Sequence, residues 1–361
     1  MREETEGKRR LIGGVFGLPL RVPEVVEQGS ETWLFQRSDA LRLVNARSGF
    51  SLLGELLRPR KAWLPSYLCQ AVVQGFQAGE VPVEFFPVND RLFCEAGGWL
   101  DRVQPGDLVV RINYFGFLNT DPTFEELLNR GAWIIDDAAQ ALLTEGIGAA
   151  ARFVVYSPRK FVGVPEGACL VPMLPAPQKW PALHPIPAAW WLETFSASQL
   201  RRDFDLGGGN RDWFSKFQNA EQNALIGPYA MSDFSGHLLD RGFDFSAIAL
   251  NRRANYRHLL EHLHEFALLH ELPDGVVPLG FPIRVENRDA VREQLFRDEV
   301  FPPVHWALDG FVPDSFALSH YLARETMTLP CDQRYGEDDM RRLSEAFLRA
   351  RPITPRGTRC G

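Results

Sequence analysis

The stretch AWIIDDAAQAL, residues 132–142, is four apolar residues running into two acids and then into small residues. An apolar run of this length, with no polar alternation, predicts a strand buried on both faces whose C-terminal end opens onto something polar. Working outward, DLVVRINYF (107–115), VPVEFFPVN (81–89) and KAWLP (61–65) read upstream as strands, and ARFVVYSPRKF (151–161) as a β-rich run downstream. Helical patterns separate them. SDALRLVNARSGFSLLGELL (38–57) carries apolar residues at helical spacing behind a Ser/Asp cap signal. The end of SYLCQAVVQGFQAG (66–79) is a second helix, and TFEELLNRG (123–131) is a third, ended by Gly131. Short strands alternating with helices predict an α/β fold, a mostly parallel sheet sandwiched between helices. Ligands in such sheets bind beyond the carboxyl ends of the strands. Asp136, Asp137, Ser157 and Lys160 all follow strands in this way.

The texture changes along the chain. From Pro172 to about Gly236 it opens on a Pro-rich passage, VPMLPAPQKWPALHPIPAAWW (171–191), which reads as irregular. GGGN (207–210) is a turn before a helix through Phe217 and Glu221. From about Phe243 a long helix, SAIALNRRANYRHLLEHLHEF (246–266), precedes a strand at FPIRVEN (281–287). Helices follow at RDAVREQLFRD (288–298) and EDDMRRLSEAFLRAR (337–351). The division expected is a large domain over 1–240, with 172–236 as a substrate or dimer region, and a small α+β domain over 241–361. The closing TPRGTRCG (354–361) reads as a frayed tail.

Of the 361 residues, 45% are hydrophobic and 24% charged, the balance of a globular chain with a sizeable core. A net charge of −7, with basic residues only in short clusters such as Lys8-Arg9-Arg10 and Arg201-Arg202, argues against a nucleic-acid surface. The charged N-terminus lacks a signal peptide's apolar segment, and no apolar run is long enough to span a membrane. Five scattered cysteines without a CxxC pair read as reduced thiols, and the eight histidines show no metal spacing. These features place the expected protein in the cytoplasm.

Three clusters carry possible chemistry. Arg47-Ser48-Gly49 suits a phosphate if it opens a helix, where free amides and the positive end of the dipole meet an anion; it reads equally as a cap or a packing glycine. Asp136 and Asp137 are costly to bury unless something cationic, such as a protonated ring nitrogen, pairs with them. As solvated loop acids or an N-cap they need no partner, but Ala138 and Ala139 leave room for a planar ligand against the backbone. Lys160, on a loop beside Ser157 and ahead of a Gly-rich turn, forms a Schiff base if burial beside a cation such as Arg159 frees its lone pair, and is surface charge otherwise.

The order phosphate cup, acid, lysine resembles that of fold-type I pyridoxal-phosphate (PLP) enzymes, and within them the DegT/StrS-type sugar aminotransferases. The stretches that carry the resemblance are LPSYLCQAVV, NYFG (113–116), IIDDAAQAL, SPRKF with PEGACLV (165–171), NRRANY (251–256) and LPCDQRYGEDDMRRL (329–343), so it extends over about residues 40–345. The resemblance implies that Lys160 holds PLP as an internal aldimine and that Asp137 pairs with the ring nitrogen. It places Gln140 near the phenolic oxygen, and Ser157 with Arg47, Ser48 and Gly49 around the phosphate. Tyr67 is its candidate for stacking on the ring, and Asn210, or else Lys216, its candidate for reaching the phosphate of a second subunit in a homodimer. It further implies amino transfer from a donor such as glutamate to a keto acceptor, including a keto-sugar nucleotide, with no metal, nucleic acid or membrane. A lyase, decarboxylase or dehydratase on the same scaffold, or a non-catalytic binding module, are the other readings. His305-Trp306, after a Pro-Pro turn, is a candidate for reaching the substrate, whereas Trp190-Trp191 with Phe195 reads as core or interface.

Overall fold

A computed structural model describes residues 10–19, 33–174 and 180–351. The charged N-terminus through Arg9, residues 175–179 of the Pro-rich passage and the tail with Cys360 lie outside the described residues. Strand β1 (Ile12–Gly13) is followed by β2 (Leu41–Leu43), α1 (Ala46–Leu57), β3 (Ala62–Pro65), α2 (Gln70–Ala78) and β4 (Val83–Phe86). Next come β5 (Leu108–Ile112), α3 (Thr123–Asn129), β6 (Trp133–Ala138), β7 (Phe153–Tyr156) and β8 (Ala168–Pro172). Seven of these strands form one sheet in the order β2-β8-β7-β6-β5-β3-β4. From β4 to β7 neighbours run parallel, and β8 and β2 close one edge antiparallel. The α/β expectation holds, and the buried apolar strands explain it: β5 and β8 are buried along their whole length, as strands with helices on both faces must be.

The stretch 38–57 is not helical throughout. Leu41–Leu43 pair with β8, and the helix starts only at Ala46, where Asn45, not Ser38 or Asp39, accepts the amide of Ser48 at 3.0 Å. The passage after β8 departs further from the sequence reading. It holds α4 (Ala188–Gly207), a helix of 20 residues, packed as a hairpin on α5 (Asp212–Gln222). Proline confines only the approach to α4. Pro187 stands at its N-cap, after which 20 residues run without another proline.

The chain continues through α6 (Asp233–Arg241), α7 (Phe245–Leu263), β9 (Phe281–Arg284), α8 (Arg288–Arg297), β10 (Val300–Phe301), α9 (Ala317–Glu325), β11 (Thr326–Leu329) and α10 (Glu337–Ala350). Strands β9 and β11 pair antiparallel, and β10 pairs with β1. Ile12 is therefore buried with Tyr256, Phe281, Met327, Leu343 and Phe347 in the core of the C-terminal part, although it lies at the opposite end of the sequence. Among the described residues, no helix is long and apolar enough to cross a membrane.

The two acids of β6 separate by strand alternation. Asp136 lies beside Arg111 in the β5–β6 register and accepts its Nε and Nη2 at 2.6 and 2.9 Å, and also the amide of Gly148 at 2.8 Å. Both side chains are buried, so each depends on the other. Arg111→Ala should cost about 3–5 kcal/mol, because it leaves a carboxylate inside the sheet without its counter-charge. Joint replacement of Arg111 and Asp136 by apolar residues of similar volume should recover most of that loss; urea unfolding of the wild type and the two variants checks both.

Candidate active site

At the C-terminal ends of β6 and β7 the sheet opens onto a cavity of about 760 Å³. Its floor is sheet and loop: Asp137, Ala139, Ser157, Arg159 and Lys160. The first turn of α1 lies on one side, the α4–α5 hairpin on another, and His305, Trp306 and Thr328 on a third. Among the lysines of the described residues, Lys160 is the one that lines this cavity.

Asp137 faces away from Arg111 and accepts one hydrogen bond, from the amide of Ala139 at 2.9 Å. Burial raises its pKa, opposed by the positive charge of Lys160 and by that hydrogen bond. The carboxylate thus sits desolvated near an amine and short of partners. Lys160 ends a single turn, Pro158–Lys160, that follows β7, its amide bonded to the carbonyl of Ser157 at 3.1 Å. Ser157 is buried and lines the cavity.

The loop after Lys160 is pinned by two distant motifs. Arg252 of α7 donates from Nη2 to the carbonyl of Phe161 at 3.3 Å, and Gln333 donates to the same oxygen at 2.7 Å. Arg252 Nε in turn donates to Gln333 at 2.8 Å. Burial brings the Arg252 guanidinium down to about 10, against the opposing charge of Asp332. NRRANY and LPCDQRYGEDD meet here, at the residue next to Lys160. Gly163 has its own constraint: a Cβ there would lie 1.9 Å from the carbonyl oxygen of Gly17, so the segment 14–18 closes against this loop only because no side chain intervenes.

The residues of the first turn of α1 that face the cavity lie two positions before Ser48-Gly49. Ser48 and Gly49 are buried behind the cavity wall, Ser48 accepting the amide of Gly227 at 3.3 Å and Gly49 lying against Val155. The cavity is lined instead by Asn45, Ala46 and Arg47. The first amides of a helix have no intrahelical acceptor. Asn45 takes that of Ser48, which leaves the amides of Ala46 and Arg47 for an anion. Arg159, beside them, pairs with Glu221 at 2.7 Å, so its charge is compensated by a carboxylate rather than directed at Lys160, while its Nε is buried without a partner.

Other expected residues are placed differently. Gln140 accepts the amide of Phe115 at 2.8 Å, and its Nε2 is buried with no partner, a donor left for an acceptor. Tyr67 does not line the cavity. It is fully buried against Tyr114 and Trp306 and donates to the backbone carbonyl of His305, while Cys69 and Val72 reach the wall. Asn210 is exposed and bonds Asp212 at 2.7 Å, and Lys216 pairs with Glu193 at 3.1 Å; neither lines this chain's cavity. Trp190, in contrast, lines it, joined by Phe214 and Phe217 of α5.

His305 is half-buried near Lys160, its Nδ1 2.9 Å from Thr328 Oγ1 and its ring edge-on to Phe115 and Trp306. Burial first, and then the charge of Lys160, push its pKa down to about 3. A histidine whose folded pKa is depressed stabilises the fold above its unfolded pKa, near 6.5, and that stability is lost as pH falls towards 3. Urea unfolding should show the wild type losing up to about 4 kcal/mol more than His305→Gln between pH 6.5 and 3.

No family model matches the chain, and no curated protein matches it. Solved structures do. The aminotransferase TlmJ from Streptoalloteichus hindustanus superposes with a TM-score of 0.63 at 18% identity over 94% of this chain and 98% of that one. The sugar aminotransferase CalS13 from Micromonospora echinospora gives 0.59 at 16% over 85% and 86%. DesI, solved in the presence of its TDP-sugar product, gives 0.63 at 19% over 86% and 80%. Likeness at this identity is likeness of fold. The chain shares the fold of these aminotransferases.

Proposed function

We propose that the protein is a PLP-dependent aminotransferase that moves an amino group from an amino acid, glutamate, to a keto acceptor, with a keto-sugar nucleotide as the acceptor class. The observation that carries this reading is the convergence of Lys160 and the under-bonded carboxylate of Asp137 on one cavity that also holds the amides of Ala46 and Arg47. The residues fit the cofactor. Asp137 lacks a cationic partner of the kind a pyridinium supplies, Gln140 Nε2 lacks an acceptor, and Arg159 Nε lacks an anion. When bound, PLP supplies an aldehyde that bonds a lysine amine and a ring that delocalises the electrons left by proton removal.

Each side chain then has a task. Lys160 Nζ holds the cofactor and carries the proton on and off the substrate carbon. Asp137, ionised, keeps the ring nitrogen protonated; its burial strengthens that pairing because little water competes. The amides at the start of α1, with Ser157 and Arg159, hold the phosphate. The aromatic residues of the α4–α5 hairpin exclude water and shape the acceptor's place. The DesI structure with its TDP-sugar product supports a nucleotide-linked sugar in a cavity of this architecture. A homodimer completing the site belongs to the same proposal. The test is the half-reaction: glutamate added to PLP-loaded protein should convert the cofactor to its amine form and release 2-oxoglutarate. Turnover of the amino acid without that conversion would point to a lyase or decarboxylase instead.

A further inference from the structure

Glu221, in the last turn of α5, reaches into the phosphate cup. Its Oε1 lies 2.7 Å from Arg159 Nη1 and its Oε2 3.5 Å from Arg47 Nη2. Arg47 Nε is already engaged by Gln74 at 3.0 Å. Burial alone would raise the pKa of Glu221, but Arg159 and Arg47 more than offset this and hold it below the usual range, so it is ionised at neutral pH. The segment after α5 is tied to the same cup: Asn45 Nδ2 donates to the carbonyl of Leu225 at 2.7 Å, and the amide of Gly227 to Ser48 Oγ at 3.3 Å. The carboxylate is thus anchored on the site and cannot drift off without disturbing α1.

Charge arithmetic then sets the consequence. Two guanidiniums and one carboxylate leave a single net positive charge beside the helix terminus. A phosphate monoester brings nearly two negative charges at neutral pH. It meets a like charge already seated on the two guanidiniums that face the cup, Arg47 and Arg159. Resting on the cofactor reading above, we propose that Glu221 is an internal competitor for the cofactor's phosphate, a residue of the α4–α5 hairpin that weakens the cup and so makes the cofactor exchangeable. The effect is greatest for the amine form, which has no covalent bond to Lys160 and depends on the cup.

Pyridoxamine phosphate therefore isolates the cup from the lysine. Calorimetric titration of wild type, Glu221→Gln and Glu221→Asp with pyridoxamine phosphate, and with pyridoxamine lacking the phosphate, tests the proposal. Glu221→Gln should bind pyridoxamine phosphate at least about tenfold more tightly, with the gain shrinking at high salt. Glu221→Asp, which keeps the charge, should stay near wild type, and the phosphate-free ligand should not distinguish the variants. Equal or weaker binding of pyridoxamine phosphate by Glu221→Gln, with its fold intact by circular dichroism, would overturn the proposal and make Glu221 a positioning residue for the arginines. If the wild type binds neither pyridoxamine phosphate nor PLP, the cofactor reading itself fails, and the competitor role with it.

Discussion

Lys160→Ala is expected to reduce amino transfer by at least about four orders of magnitude, with the folded protein otherwise intact. One side chain carries two separate tasks. Nζ holds the cofactor covalently, and it also moves the proton. Positioned proton transfer alone is worth about 10²–10⁴-fold, and the covalent bond adds to that. No neighbour substitutes, because among the described residues Lys160 is the one lysine lining the cavity, and His305 beside it stays neutral at working pH. Stability should change little: Lys160 is partly exposed and closes its turn through backbone, not through Nζ. Steady-state kinetics with a melting curve on the same preparation measures both. Partial rescue by added alkylamine would show that the missing group is an amine rather than a packing element.

Asp137→Asn should move activity and stability in opposite directions. Activity should fall by about two to three orders of magnitude, since a neutral amide does not hold a ring nitrogen protonated. The empty protein should become about 1 kcal/mol more stable at pH 7. Burial raises the folded pKa of Asp137. A carboxyl raised in this way stabilises the fold only below its unfolded pKa and loses that contribution as pH rises through the folded one. At neutral pH its ionisation opposes folding, and asparagine removes the cost. The stability difference between wild type and Asp137→Asn should accordingly shrink towards pH 4. Loss of stability in the variant would mean that Asp137 is a structural acid like Asp136.

That contrast shows how far the sequence reaches. IIDDAAQAL locates two acids at the end of a buried strand, but only strand alternation and the register with β5 assign Asp136 to Arg111 and Asp137 to the cavity. The loop SPRKF is legible because it follows an apolar run; the residues that pin it, Arg252 and Gln333, lie 91 and 172 positions away and carry no local sign of that role. The stretch 38–57 reads as one amphipathic helix, whereas the helix begins at Ala46. Its first residues instead pair with β8, a partner more than a hundred residues on, and of Arg47, Ser48 and Gly49 only Arg47 lines the cavity, joined by Asn45 and Ala46. Tyr67, which the resemblance sets against the ring but which reads equally as core, packs against Tyr114 and Trp306. The least legible part is α4: its proline-rich approach suggests irregular chain, and its apolar side chains are divided between cavity, hairpin partner and solvent. No single stripe marks a buried face, with Trp190 lining the cavity, Trp191 stacked on Phe195 and Leu192 exposed.

Borohydride reduction of PLP-treated protein, followed by peptide mass analysis, tests the central claim most directly. The account predicts one pyridoxyl modification, on the peptide containing Lys160, and its disappearance after preincubation with glutamate. Modification spread over Lys8, Lys61, Lys179 and Lys216, or absent from Lys160, would contradict it.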